Sequence, residues 1–374
     1  MTTAFGGALV RSPRAARNEP IMTASTIEAP PVAEDATVVA RPPRLTSLDL
    51  LRGLSVAVMV LVNVPGDRGL HPAQLVHADW AGFRVAETVF PGFVIAAGGA
   101  VALSSRSATL GPTLVRAARI FVVGLLLVWL KYHSIGFKTG TLQFIAMAWL
   151  VAALLSRLTP SRRTVAALSL MGVVAVLHLL PWLPGATGWG IDGLDAHIDA
   201  PLFGGRSDLG VLGMLSAGAL AALASVVVAT VRSSSHRRRV VVFGATAVGA
   251  LAACLVLRAV GVPVVKRVWS PSYLFAGASV SFLVLAVGEA IAATRVRRVL
   301  TPLLALGTNA LPLYVLATLI SLAWTSAWRQ STTAWLTDLG LSSSRSSLVV
   351  SGVVLAVVVA VAMWLRRTGR VIRL

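Results

Sequence analysis

Charge is scarce in this chain of 374 residues: 13% are Asp, Glu, Lys or Arg, against about a quarter in soluble globular proteins. With 56% hydrophobic residues and a mean hydropathy of +0.81, the shortage excludes a disordered regulator, a secreted disulfide scaffold and an ordinary cytosolic enzyme. It points to an integral membrane protein. Cys254 is the single cysteine, which excludes an intramolecular disulfide and a cysteine-based metal cage. Acid is scarcer than base, with 14 Asp and Glu against 33 Lys and Arg and a net charge of +19. That excess does not read as nucleic-acid affinity, because the basic residues are scattered between apolar segments, as topology signals are. Also missing are the alternating runs of a membrane β-barrel, an evident internal repeat of the kind common in secondary transporters and the apolar core of a signal peptide.

What is present is a series of apolar runs, each near the roughly 20 residues that a membrane-spanning helix needs. Ten are predicted: Leu48 to Val64, Glu87 to Leu103, Leu114 to Leu130, Thr141 to Leu155, Val165 to Leu183, Leu209 to Val231, Val240 to Val262, Tyr273 to Ala293, Leu303 to Trp324 and Leu348 to Leu365. The fourth is short, and the ninth is interrupted by Gly307, Asn309 and Pro312. The expected fold class is all-α, a polytopic bundle of about ten transmembrane helices. Placing the N-terminus in the cytoplasm puts most Lys and Arg on the inner side, and every inner connection then carries at least three. Both termini are therefore expected to be cytoplasmic, in a multi-pass cell-membrane protein surrounded by lipid. Residues 1–43, rich in Pro, Ala, Thr and Arg, are expected to form a disordered cytoplasmic tail before a membrane domain at 44–374. Met22 is an alternative start.

Ionisable groups at membrane depth are costly and usually functional, and few occur here. Asp49 and Arg52 are three residues apart on the first helix, where they can pair; a helix-end ion pair with Arg52 snorkelling explains them equally well. Asn63 stands at the outer end of the same helix, as a cap or an interhelical hydrogen bond. The first outer loop is richer, with His71, His77, Asp67, Asp79 and Glu87. A histidine beside a carboxylate can serve as a general base near neutral pH, and Glu87 is a candidate to orient His77. Simple solvation of loop residues is the competing account. A second polar cluster precedes the sixth span, with Asp192, Asp195, His197, Asp199, Arg206 and Asp208. Its negative balance would attract a cationic acceptor such as an amino sugar, while its spacing matches no strong metal motif; no metal is expected. Gln143, Asn309, Ser270 and Tyr273 complete the polar set, and Trp80 and Trp269 are the tryptophans with polar neighbours, the mix of a sugar-stacking platform. Glu289 is expected to snorkel at an inner helix end.

The stretch Ser47-Leu48-Asp49-Leu50-Leu51-Arg52-Gly53, then Leu61-Val62-Asn63, His77-Ala78-Asp79-Trp80-Ala81-Gly82 and Val89-Phe90-Pro91-Gly92-Phe93, resembles the heparan-alpha-glucosaminide N-acetyltransferase family of transmembrane acyltransferases, in the form expected of a bacterial member. Weaker similarities continue in order through Leu142-Gln143, Asp208 to Ser216, Lys266 to Tyr273, Gly307 to Ala310 and Tyr314, so the likeness runs from about residue 44 to 320. The resemblance implies transfer of an acetyl group from cytosolic acetyl-CoA to the amine of a glucosamine on the other face of the membrane. By the same resemblance His77 is the base or the acyl carrier, and Asn63 holds the carbonyl or the histidine. An imidazole and an amide in one loop meet the needs of acyl transfer. Glu87, with Asp usual at its position, orients His77; Asp79, Trp80, Gln143, Trp269, Ser270, Tyr273 and Asn309 bind the saccharide; Asp49 and Arg52 face the acetyl-CoA. Where an arginine often follows the glutamine, this chain has Phe144, which shifts donor binding to Arg52, Lys131 or Lys138. Some members form dimers, so a homodimer is carried as an implication.

Two classes of function account for the chain. One is a membrane acyltransferase acting on an amino sugar or related glycan. The other is a transporter or flippase of an envelope saccharide or lipid intermediate, which explains ten spans and a broken ninth helix without bond-making. The grouping of Asn63, His77 and Glu87 at one face favours the enzyme, since a transporter more naturally places ionisable groups at the midplane.

Overall fold

The computed structural model describes residues 45–104, 109–133, 140–179, 189–190, 193–203, 210–292 and 294–372. The predicted tail, Met22, Arg106, Lys138, Asp192, Arg206 and Asp208 lie outside the described residues. Thirteen α-helices occur among those described: α1 Thr46–Asn63, α2 Val89–Leu103, α3 Leu110–Tyr132, α4 Thr141–Leu155, α5 Pro160–Leu179, α6 Leu194–Phe203, α7 Val211–Val231, α8 His236–Ala259, α9 Pro271–Ala292, α10 Thr301–Thr308, α11 Ala310–Ala323, α12 Ser326–Asp338 and α13 Ser343–Arg367. The protein is an all-α helix bundle, and the only pairing of extended backbone among these residues is a single bridge between Ala81 and Val265.

Among the described residues every predicted span overlaps a helix, but not every helix is a full crossing. Eight helices among the described residues, α2 with its leading 3-10 turn included, are long and apolar enough to cross a membrane. The fourth predicted span, α4, has 15 residues, about 22 Å at 1.5 Å per residue, short of a hydrocarbon core of about 30 Å. The ninth is two helices, α10 and α11, set at 92°. They turn at Asn309, whose side chain accepts a hydrogen bond from Ile372 N (2.9 Å) and donates to Arg370 O (3.3 Å). The Asn309 side chain at the break is thus satisfied by residues 370 and 372 of the chain itself. Two helices were absent from the expectation, α6 and α12, because neither is long or apolar enough to stand out as a span.

Small residues set the packing. The central helix α7 is rich in Ala and Gly and 72% of its apolar window is buried, whereas α5 and α8 bury 22% and form the rim. A Cβ added at Gly98 of α2 would sit 2.1 Å from Ala221 O, and one at Gly307 of α10 would sit 1.7 Å from Asp49 O. Such backbone approaches are how helices associate where lipid removes the hydrophobic drive between them. At the arginine-rich end of the bundle, Glu289 departs from expectation: it is 1% exposed. Its carboxylate accepts from Ser47 Oγ (2.6 Å), Arg239 Nη1 (3.5 Å) and His236 Nδ1 (2.7 Å), tying α1, α8 and α9 together. A carboxylate with three partners need not reach water.

Candidate active site

At the other end of the bundle the 64–88 segment is folded onto the helices by a set of local bonds. Arg329 of α12, pushed below the ordinary arginine pKa by burial, donates Nε to Pro65 O (3.0 Å) and Nη1 to Ser321 O (3.0 Å) and Trp324 O. Asp67 N donates to Ser347 Oγ on α13 (3.0 Å). His71 is buried between Ser347 Oγ and Leu61 O, each 2.9 Å from a ring nitrogen. Since Leu61 O only accepts, Nε2 of His71 carries a proton, and burial lowers the histidine's pKa, favouring the neutral ring. His71 therefore anchors the segment.

The other loop histidine faces a cavity. Arg84 folds the chain back by donating its guanidinium to Val76 O (3.2 Å), and its backbone N donates to Glu87 Oε2 (2.8 Å), which starts the 3-10 turn Val85–Thr88. Glu87 is 1% exposed. Its other oxygen, Oε1, accepts from Ala78 N (3.1 Å) and lies 3.0 Å from His77 Nδ1. On the far side of the ring, Lys266 Nζ is 3.0 Å from His77 Nε2. An ammonium has donors only, so Nε2 must be the acceptor and the Nδ1 proton must point at Glu87. The two partners fix one tautomer, with the Nε2 lone pair on the Lys266 ammonium, and both residues line a cavity of about 370 Å³. Asn63, Arg68, Asp79, Trp80 and Arg267 also line it.

The segment that carries Lys266 is held by its own bonds. Gly82 N donates to Val264 O (2.9 Å) beside the Ala81–Val265 bridge, and Gly82 does so at φ 151°, a region open to glycine. Ser270 Oγ accepts from Val265 N (3.0 Å) and donates to Pro263 O (2.7 Å). Trp269 takes a left-handed φ of 49°, turning the chain into α9. Its indole is buried against Phe144 (ring centroids 4.4 Å apart) and over Gly213, while Tyr273 donates its hydroxyl to Glu87 O (3.0 Å). Trp80 donates Nε1 to Trp189 O (3.0 Å). Trp189 in turn stacks on His178 (4.6 Å), a buried ring 2.5 Å from Asp195 Oδ2.

Of the residues picked from the sequence, Asn63, His77, Asp79, Trp80 and Glu87 thus share one cavity, and Ser270, Tyr273 and Trp269 form the wall behind it. Gln143 lines a neighbouring cavity of about 260 Å³, joined to the first through Asn63 and Arg68, which line both. Its amide is buried without a hydrogen-bond partner among the described residues. Asp49, Arg52 and Asn309 lie elsewhere. Arg52 donates to Asp49 Oδ1 (3.0 Å) and Ala96 O (3.2 Å) and, with Asn309, lines a third cavity of about 650 Å³ that also receives Arg116, Arg119 and Trp149. Arg116 lies 5.1 Å over the Trp149 ring. This basic cavity opens where α2 ends and α3 begins, opposite His77. Among the described residues no three His, Cys, Asp or Glu side chains gather as a metal-binding group. Lys266 was not picked as a site residue: it lies 189 positions from His77, and its one signal was membership of the Lys266 to Tyr273 stretch.

Residues 44–184 match the family model described as heparan-alpha-glucosaminide N-acetyltransferase, catalytic. Among curated proteins, heparan-alpha-glucosaminide N-acetyltransferase from Homo sapiens is 31% identical over 138 residues, covering 32% of this chain and 20% of the human protein. The chain thus matches about a fifth of that relative's length. The matched stretch contains Asn63, His77 and Glu87 but stops short of Lys266.

Proposed function

We propose, from the premise that this membrane protein is heparan-alpha-glucosaminide N-acetyltransferase-like over residues 44–184, that it transfers an acetyl group from acetyl-CoA to an amino sugar or related glycan across a cell membrane. The observation that carries the reading is His77, a cavity-lining ring whose Nδ1 proton is held by a buried carboxylate, which makes Nε2 the basic nitrogen. Acyl transfer to an amine needs such a base within reach of the nucleophile. Asn63, on the lip of the same cavity, supplies an amide donor for the developing oxyanion. At the arginine-rich end, the cavity with Arg52, Arg116 and Arg119 suits the phosphates of a nucleotide-bearing donor. That placement agrees with a cytoplasmic arginine-rich end and an extracytoplasmic His77. The reactants would then approach from opposite faces. The buried Gln143 amide lies in the cavity adjoining His77, offering one donor and one acceptor to an amide-bearing arm.

The break at Asn309 is the feature that would suit a transporter, whose discontinuous helices carry substrate sites. Here residues 370–372 of the same chain bond to the Asn309 side chain, and the break borders the same basic cavity that suits the donor's phosphates. The test uses protein in lipid nanodiscs with radiolabelled acetyl-CoA and glucosamine-type acceptors, following labelled product and free CoA. Wild type is expected to turn over, and His77→Ala and Asn63→Ala to lose turnover while retaining their thermal unfolding midpoint. Saccharide uptake into vesicles without CoA release would favour the transporter and sink the acyltransferase.

A further inference from the structure

We propose that Lys266 is a catalytic residue of this site, a cation that occupies the reacting nitrogen of His77 at rest and stabilises the carbonyl oxygen during transfer. The inference rests on the acyltransferase reading above. Lys266 Nζ lies 3.0 Å from Nε2, where the nitrogen of an incoming acceptor amine must sit to give up its proton. Its ammonium is therefore a chemical stand-in for that amine. The chain does not reach this position by chance of a floppy loop: the bridge at Val265 and the Ser270 hydroxyl fix the backbone on either side of it. The ammonium also lies 5.2 Å over the ring of Phe90 at the start of α2, an apolar wall that weakens its screening by water.

The reaction balances without another group. The neutral acceptor amine replaces the Lys266 contact and attacks the thioester carbonyl. A C–N bond forms, and the carbonyl π pair moves to oxygen. The nitrogen proton passes to His77 Nε2. When the oxyanion collapses, the C–S bond breaks and the thiolate takes that proton, leaving an amide and a thiol. The displaced ammonium turns to the new oxyanion, and once Nε2 is protonated the like charges of ring and ammonium keep the lysine from returning to the ring. Glu87 is 1% exposed and lies against Nδ1, on the opposite edge of the ring from the lysine.

Lys266→Met keeps the length and removes the charge; Lys266→Arg keeps the charge with other geometry. Both are compared with wild type in nanodiscs with acetyl-CoA and glucosamine. Loss of a single oxyanion donor costs about 100-fold or more in kcat, so Lys266→Met is expected to fall by that factor. The acceptor KM is expected to be unchanged or lower, because the competing ammonium is gone. Lys266→Arg is expected to recover at least a tenth of wild-type kcat. A kcat for Lys266→Met within threefold of wild type overturns the assignment. So does an effect confined to KM, or a loss that Lys266→Arg fails to relieve. If Lys266→Met does not fold, Lys266→Gln is read by the same criteria. Wild type that is inactive on every acceptor overturns the acyltransferase reading and this one with it, an outcome distinct from active wild type beside equally active variants.

Discussion

Replacing Glu87 by Gln separates its electrostatic contribution from its structural one. The carboxylate receives three hydrogen bonds, from Arg84 N on Oε2 and from Ala78 N and His77 Nδ1 on Oε1. A carboxamide has one acceptor end, so one side must set N–H against N–H. The less costly orientation places the amide nitrogen at Oε2, where it orphans Arg84 N and keeps the other two bonds. One buried donor without a partner costs about 1–3 kcal/mol, a measurable fall in the unfolding midpoint. His77 keeps its tautomer but loses the negative charge behind the imidazolium. The difference between a charged and a neutral acceptor is about 1–2 kcal/mol, so kcat should drop about 5- to 30-fold. Thermal unfolding in nanodiscs and CoA release at saturating acceptor measure the two effects. Glu87→Gln with unchanged midpoint and kcat within twofold would refute the argument. Glu87→Ala is less informative, because orphaning both Ala78 N and Arg84 N costs about 2–6 kcal/mol, a large share of the 5–15 kcal/mol that holds a typical fold.

Three further outcomes are expected. Because burial lowers the pKa of His71 from its ordinary 6.5, the unfolded chain takes up that proton first as pH falls. The stability it contributes is full above that value and is lost as pH drops toward the lowered one; the midpoint of wild type should therefore fall more between about pH 7 and pH 5 than that of His71→Gln, and equal slopes would contradict this. Gly307→Ala would place a methyl 1.7 Å from Asp49 O, whereas Gly352→Ala meets nothing within 4 Å; the first should cost about 1–3 kcal/mol or more and the second should not destabilise, so similar midpoints would rule out backbone contact of α1 with α10. For orientation, Cys254 is buried and should leave a quiet background for an impermeant maleimide. Asp79→Cys should label in intact cells, Ser233→Cys only after permeabilisation, and the reverse order would invert the topology.

The positions of the spans were legible because each is a long apolar run closed by charge or by Gly and Pro. The run Thr141 to Leu155 became α4 with those same ends. The right angle at Asn309 was legible only as an interruption, since the residues that bond to its side chain, Arg370 and Ile372, are more than 60 positions away. Glu289 misled for a related reason: a single acid near a helix end has the same appearance whether it reaches water or, as here, finds Ser47, His236 and Arg239. In the site, His77, Asp79 and Glu87 were visible together because a single segment carries them. The burial of Trp269 and Tyr273 behind that segment was not visible, because their tryptophan and tyrosine side chains suit a binding platform as well as a core.

Helicity and membrane residence could be read from the linear pattern alone, because hydropathy and charge spacing act over about 20 residues and need no knowledge of partners. So could the presence of a histidine and an acid ten positions apart in one polar segment. Tertiary structure decided which nitrogen of His77 is available, because that depends on a carboxylate on one side and on Lys266, 189 positions away, on the other. Hydrogen-bond direction is a property of contact geometry, and long-range contact is what a linear pattern of polarity does not encode.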